Sequence, residues 1–199
     1  MNRYRPDEGL GVDDEPRILR GGPGYGFPPG LEPGLEASAA FRTDHLAYAN
    51  GCHVAEVEVD IDTGGVVITR YTALHDSGVR INPMMVEGQT RGAIAHGIGN
   101  ALFEWMGYDE SGQPTTTTFA DYLLPTATEL PRISASYRES PSPLNPLGVK
   151  GAGETGVIAA APAVISAIEN ALEPFGVHIA QVPLPPPKLL ELIVQARGR

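Results

Sequence analysis

The stretch HVAEVEVDIDTGGVVITRYTAL, His53 to Leu74, sets the architecture of the chain. Val54, Val57 and Val59 are interleaved with Glu56, Glu58 and Asp60, an alternating pattern. DTGG (Asp62 to Gly65) is a turn signal, and β-branched residues follow it. Two strands around a glycine-containing loop predict an antiparallel hairpin.

Downstream, Asn82-Pro83 predicts a helix start, with Asn82 as N-cap and Pro83 in the first turn. The run MMVEGQTRGAIAHGIGNALFEW (Met84 to Trp105) carries Val86, Ile94, Ile98, Ala101, Leu102 and Trp105 at helical spacing. Gly88, Gly92, Gly97 and Gly99 each cost about 1 kcal/mol relative to Ala inside a helix. Close approach of another backbone or of a ligand is the expected reason for them. Beyond this helix, TTTTF (Thr115 to Phe119) and RISASYR (Arg132 to Arg138) are expected as strands. A helix is expected from about Val157 to Leu172 and another from about Pro187 to Ala196. Residues 1 to 36 are rich in Gly, Pro and charge without apolar periodicity and predict an extended or disordered lead-in. The organised domain is expected over 37–199. Hairpins and separate helices without βαβ alternation predict an α+β fold.

Composition narrows the function classes. A formal net charge of −10, with no basic run, argues against nucleic acid or an anionic membrane as partner. No signal-like segment or long apolar span is evident, and a cytoplasmic location is the expectation. One cysteine, Cys52, excludes an internal disulfide and any CxxC metal site, and it is expected to be a buried, inert thiol. The five histidines show no HxH or HxxxH spacing, so no protein-ligated metal is expected. His96 is expected in the core or an interface.

KGAGETG (Lys150 to Gly156) is the segment richest in chemistry. Three glycines free the backbone to lie against a ligand, and the following helix start presents unpaired N–H groups. With Lys150 beside them, these groups suit an anion. Glu154 is a carboxylate in the middle of this anion-seeking loop, and either a helix-capping or a chemical role accounts for it. GAGETG also fits the GxGxxG pattern of nicotinamide dinucleotide sites. The residues before it, PSPLNPLGVK, form a Pro-broken loop where such a site needs a buried strand. Gln89, near the start of the glycine-rich helix, could donate and accept hydrogen bonds to a ligand or be a plain exposed first-turn residue.

Taken in order, PPGLEPGLEASAAF, HVAEVEVDIDTGGVV, HDSGVRINPMMVEGQTRGAIAHGIGNALFEWMGYDESG, FADYLLPTATELP and PLGVKGAGETGVIAAAPAVISAIENAL resemble one family. They are similar to the C-terminal portion of the molybdopterin-binding large subunit of the xanthine dehydrogenase, aldehyde oxidase and aerobic carbon monoxide dehydrogenase family. The resemblance implies the second molybdopterin-binding domain of a molybdenum hydroxylase, and it tips Glu154 toward the role of general base. It implies that Gln89, Lys150, Gly151, Ala152 and Gly153 contact the cofactor. The implied reaction is hydroxylation of an aldehyde or N-heterocycle carbon with water-derived oxygen. The implied cofactor is molybdenum–molybdopterin, the cytosine dinucleotide form included, with metal held by the pterin and not by protein. Iron–sulfur clusters and FAD are implied on partner subunits. The family's subunit is several times longer, so the missing N-terminal part of the large subunit, a 2Fe-2S subunit and an FAD subunit are the implied partners. Otherwise the chain is a truncated fragment, or a non-catalytic binding or assembly module.

Overall fold

The hairpin residues pair as their alternation requires. In this computed structural model, which describes residues 45–198, β1 (Asn50–Val59) and β2 (Val66–Asp76) run antiparallel from Asn50↔Asp76 to Val59↔Val66, with a bulge at Glu56/Val57. The Asp60–Gly65 turn closes on a 2.8 Å bond from Asp60 N to Gly65 O. Gly64 in this turn has φ +74°, and the start of the last helix, at Pro186 and Leu190, occupies the space a side chain would need. The lead-in expected over residues 1–36 lies outside the described residues.

α1 (Pro83–Leu102) begins as expected: Asn82 Oδ1 accepts the Met85 N–H at 3.2 Å. It ends three residues earlier than the spacing suggests, and Trp105 is exposed. β3 (Ile133–Tyr137) then joins the far side of β2 in parallel, from Tyr71↔Ile133 to His75↔Tyr137. The sheet order is therefore β1-β2-β3, mixed in direction, with α1 in the crossover. The TTTTF strand does not form. Thr117 and Thr118 instead turn onto the Asp121 carboxylate, which their N–H groups and the Thr118 hydroxyl reach at 3.0–3.4 Å. The short hydroxyl side chains close this turn locally, in competition with any ladder.

α2 (Thr155–Ala171) and α3 (Pro186–Arg197) complete an α+β domain. Its core joins Ile68 and Tyr71 of β2, Ile94 and Ile98 of α1, Val164 and Ile168 of α2, and Leu189 and Ile193 of α3. No helix among the described residues is long and apolar enough to cross a membrane.

The four costly glycines of α1 divide by environment. A side chain at Gly97 would collide with Ala160 Cβ, and it would lie 3.1 Å from Val157 O. From the other side, a Cβ on Gly156 would come within 2.8 Å of both Ala93 Cβ and Thr90 O. These contacts climb both helices together, so α1 and α2 run in the same direction at backbone contact. Gly99 is filled by Glu104 and Pro125, whereas Gly88 and Gly92 face open space among the described residues. Ala at Gly156 is expected to destabilise the fold by about 1–3 kcal/mol through overpacking. Ala at Gly88 should stabilise it by up to about 1 kcal/mol. Urea unfolding of the two variants would show opposite signs.

Strand parity also corrects the expectation for Cys52, which is exposed because its neighbour His53 takes the inward position on β1. His96 is exposed on the outer face of α1, so it does not join the core. Inside, His53 Nδ1 lies 2.7 Å from the Tyr71 hydroxyl and its Nε2 lies 2.8 Å from His75 Nε2. The two bonds link Tyr71, His53 and His75 in a chain whose donors and acceptors follow the histidine tautomers. Burial, helped by the neighbouring His75, pushes His53 down from 6.5 to about 4, and burial also lowers His75. The unfolded chain therefore takes up these protons first. Stability is whole above pH 6.5 and falls as the pH drops from there toward about 4. Thermal midpoints measured across that window should decline, and His53→Gln should flatten the slope.

Candidate functional site

The packing of α1 on α2 decides where the chemistry-bearing residues meet. Gly156 sits against Thr90 and Ala93, so Gln89 and Glu154 lie just before the same helix–helix contact, at one end of the pair. Both are exposed. The first two turns of α1 project beyond the start of α2 and carry Met84 and Met85, which are 77% and 61% exposed. Ile158, in the first turn of α2, is 76% exposed. Among the described residues these apolar side chains face water.

Glu154 occupies the N-cap position of α2, with φ −114° and ψ 5°, yet its carboxylate makes no capping hydrogen bond. The local bond at this helix start is made instead by the Thr155 hydroxyl, which donates to Ala152 O at 3.2 Å. A capping role for Glu154 thus lacks the bond that would define it, and its side chain is left facing outward. Gly151 and Gly153 have open space where a Cβ would stand, so a ligand can approach the backbone of this loop directly. Ala152 between them is half-buried.

Lys150 is placed differently from its loop neighbours. Its ammonium is turned back to Asp76, Nζ to Oδ2 3.0 Å, with side chains 12% and 14% exposed. Burial alone would raise the Asp76 carboxyl. The N–H groups of Gly78 and Ser140 and the Lys150 ammonium outweigh burial and hold the group well below the usual carboxylate range. Sequence reasoning missed Asp76, because a lone acidic residue at a strand end carries no spacing signal until its partner, 74 residues away, is known.

The dinucleotide alternative fails on local structure. Gly151 follows a loop tied to Gly78 by a bridge at Val149, and the preceding strand, β3, ends at Tyr137. The strand–turn–helix that GxGxxG needs is therefore absent at this motif. Two clefts, of about 280 and 500 Å³, border the start of β1, and neither includes Gln89 or Glu154. Among the described residues no group of three or more His, Cys, Asp or Glu could hold a metal ion. What the site offers is peptide N–H groups of a bare glycine loop, the start of a helix, one side-chain amide and one free carboxylate. That donor set fits a phosphate- and amide-bearing organic cofactor.

Comparison with known proteins agrees with this reading. Residues 25–131 match the family model for the molybdopterin cofactor-binding domain. The chain is similar to the nicotine 6-hydroxylase large subunit of Paenarthrobacter nicotinovorans, at 43% identity over 82% of this chain and 20% of that one. It is also similar to the carbon monoxide dehydrogenase large chain of Afipia carboxidovorans, at 38% identity over 72% of this chain and 18% of that one. Among solved structures, quinoline 2-oxidoreductase from Pseudomonas putida 86 superposes with a TM-score of 0.78 at 44% identity, covering 85% of this chain and 22% of that one. The chain spans about a fifth of the length of these relatives.

Proposed function

Because the chain belongs to the molybdopterin cofactor-binding domain family of the xanthine dehydrogenase and carbon monoxide dehydrogenase type, we propose that it is the C-terminal portion of a molybdenum hydroxylase large subunit, with Glu154 as general base. The single observation that carries this reading is the non-capping Glu154 carboxylate on a bare glycine loop, at the end of the α1–α2 contact that also holds Gln89.

The residues divide the work. The backbone N–H groups of Gly151, Ala152 and Gly153 receive the cofactor, helped by the partial positive charge at the start of α2. Lys150 contributes through its place at the root of that loop. The Gln89 amide both donates and accepts, and so orients a pterin edge. When bound, molybdenum–molybdopterin, in its cytosine dinucleotide form or without the nucleotide, supplies the two-electron oxidation and the activation of water. Glu154 takes the proton from the water-derived nucleophile on one of its Oε atoms as the substrate carbon is attacked. An electron-poor carbon is required, as in an aldehyde or an N-heterocycle. The relatives named for nicotine and quinoline favour the N-heterocycle.

The exposed Met84, Met85 and Ile158 support completion by another polypeptide, taken here as the rest of the large subunit. The 2Fe-2S and FAD subunits would then carry the electrons away. The second reading, a non-catalytic binding or assembly module, is favoured by the exposure of Glu154 in the isolated chain.

Co-expression with the missing segment should yield a complex that contains molybdenum and turns over substrate. In that complex Glu154→Gln should retain the metal and lose turnover by roughly two or more orders of magnitude, the scale of a missing general base. Metal analysis and steady-state rates read both outcomes. A complex that binds normally but never acquires molybdenum would favour the assembly module.

A further inference from the structure

The loop that bears Glu154 is fastened at both ends. On its far side Gly156 is pressed against α1. On its near side the fastening converges on Asp76, the last residue of β2. Asp76 Oδ1 accepts the N–H of Gly78 at 2.9 Å and that of Ser140 at 3.1 Å, and Oδ2 accepts Lys150 Nζ at 3.0 Å. One carboxylate therefore ties together the end of β2, the loop after β3 and the root of the glycine loop.

The surrounding backbone locks the same point. Lys150 N donates to Ser77 O at 2.9 Å, and Val79 N donates to Gly148 O at 3.0 Å. Gly78, at φ +68°, leaves no room for a side chain because Gly148 O fills that space. Between these fastenings lie Gly151 to Glu154, and a Cβ on Gly151 or Gly153 would meet nothing within 4 Å among the described residues. The direction in which Glu154 points then depends on where residue 150 is held.

We propose that Asp76 is a positioning residue for Glu154, acting through Lys150 to set the root of the glycine loop. The inference rests on the reading of Glu154 as a base. In this scheme the Lys150 ammonium is engaged within the fold and is not the group that meets the cofactor. A largely buried ion pair adds little net stability, because desolvation offsets attraction. Its use here is in placement.

Hydrogen exchange on the full chain tests the clamp without any cofactor. The reporters are the amides of Gly148, Val149 and Lys150, which donate to Asn145 O, Asn145 Oδ1 and Ser77 O. Lys150→Met and Asp76→Asn should each speed exchange there by roughly tenfold or more, as a local opening does. Amides of Ile94, Ile98, Val164 and Ile168 should stay protected, and Lys150→Arg should restore the loop. In the completed enzyme Lys150→Met should lower kcat with KM and molybdenum content retained. Unchanged exchange in Lys150→Met, a uniform rise across the core, or a loosened loop with an unaltered kcat would each overturn the proposal. Full turnover in Glu154→Gln would instead end the base reading and leave the exchange result standing.

Discussion

Everything that gives this domain a candidate site follows from the backbone contact between α1 and α2. Two helices normally stand 8–10 Å apart, held off by their side chains. Here Gly97 meets Ala160 and Gly156 meets Thr90 and Ala93, so each helix supplies the glycine that the other needs. The contact is reciprocal and spans about two turns, which fixes both the separation of the helices and their register. Register is the functional quantity. Gln89 and Glu154 belong to segments far apart in the chain, and a slip of one turn would shift one past the other by about 5.4 Å.

Much of this order is readable from the residues alone, and the failures share a cause. The hairpin, the Asn82 cap, the α2 helix and the β3 strand were legible because their signals are local: alternation, a capping side chain with proline, apolar spacing. The parallel pairing of β3 with β2 was not, since nothing in ISASY states which neighbour it will take. TTTTF has strand-forming residues, yet Asp121 sits close enough to capture Thr117 and Thr118 into a turn. Cys52 turned outward because parity on β1 was settled by His53, whose partners Tyr71 and His75 lie on the adjacent strand. Of the candidate site, Gly151, Gly153 and Glu154 stood out as a motif. The Asp76–Lys150 pair did not, because its two members declare themselves only when the sheet end and the loop are brought together.

The glycines of α1 teach a further lesson about what a single chain can explain. Gly97 and Gly99 are accounted for by neighbours within the domain, and their loss of helix propensity is offset by close packing. Gly88 and Gly92 have no such neighbour here, although they lie on the same helix at a spacing of four and flank Gln89. Gly151 and Gly153 are bare in the same way. The unexplained glycines thus gather at the end of the domain that holds Gln89 and Glu154, next to the exposed Met84 and Met85. Scattered surface glycines would carry no meaning. Their grouping near Gln89 and Glu154 supports the proposal that this end of the domain meets another segment.

That concentration bears on the chemistry of Glu154. A carboxylate in bulk water is a feeble base at neutral pH, and proton abstraction in an enzyme gains from a dry, shaped setting. This chain supplies the carboxylate and the glycine-rich backbone around it but leaves the group open to solvent. On the proposed reading of Glu154 as a base, the walls that exclude water lie outside the described residues. The division is physically sensible. Placement depends on short-range contacts, such as the Asp76 clamp and the α1–α2 crossing, and these are complete within one domain. Desolvation depends on enclosure, which one wall of a cavity cannot provide. A base built this way would hold its geometry in isolation and acquire its reactivity only when the opposite wall is in place.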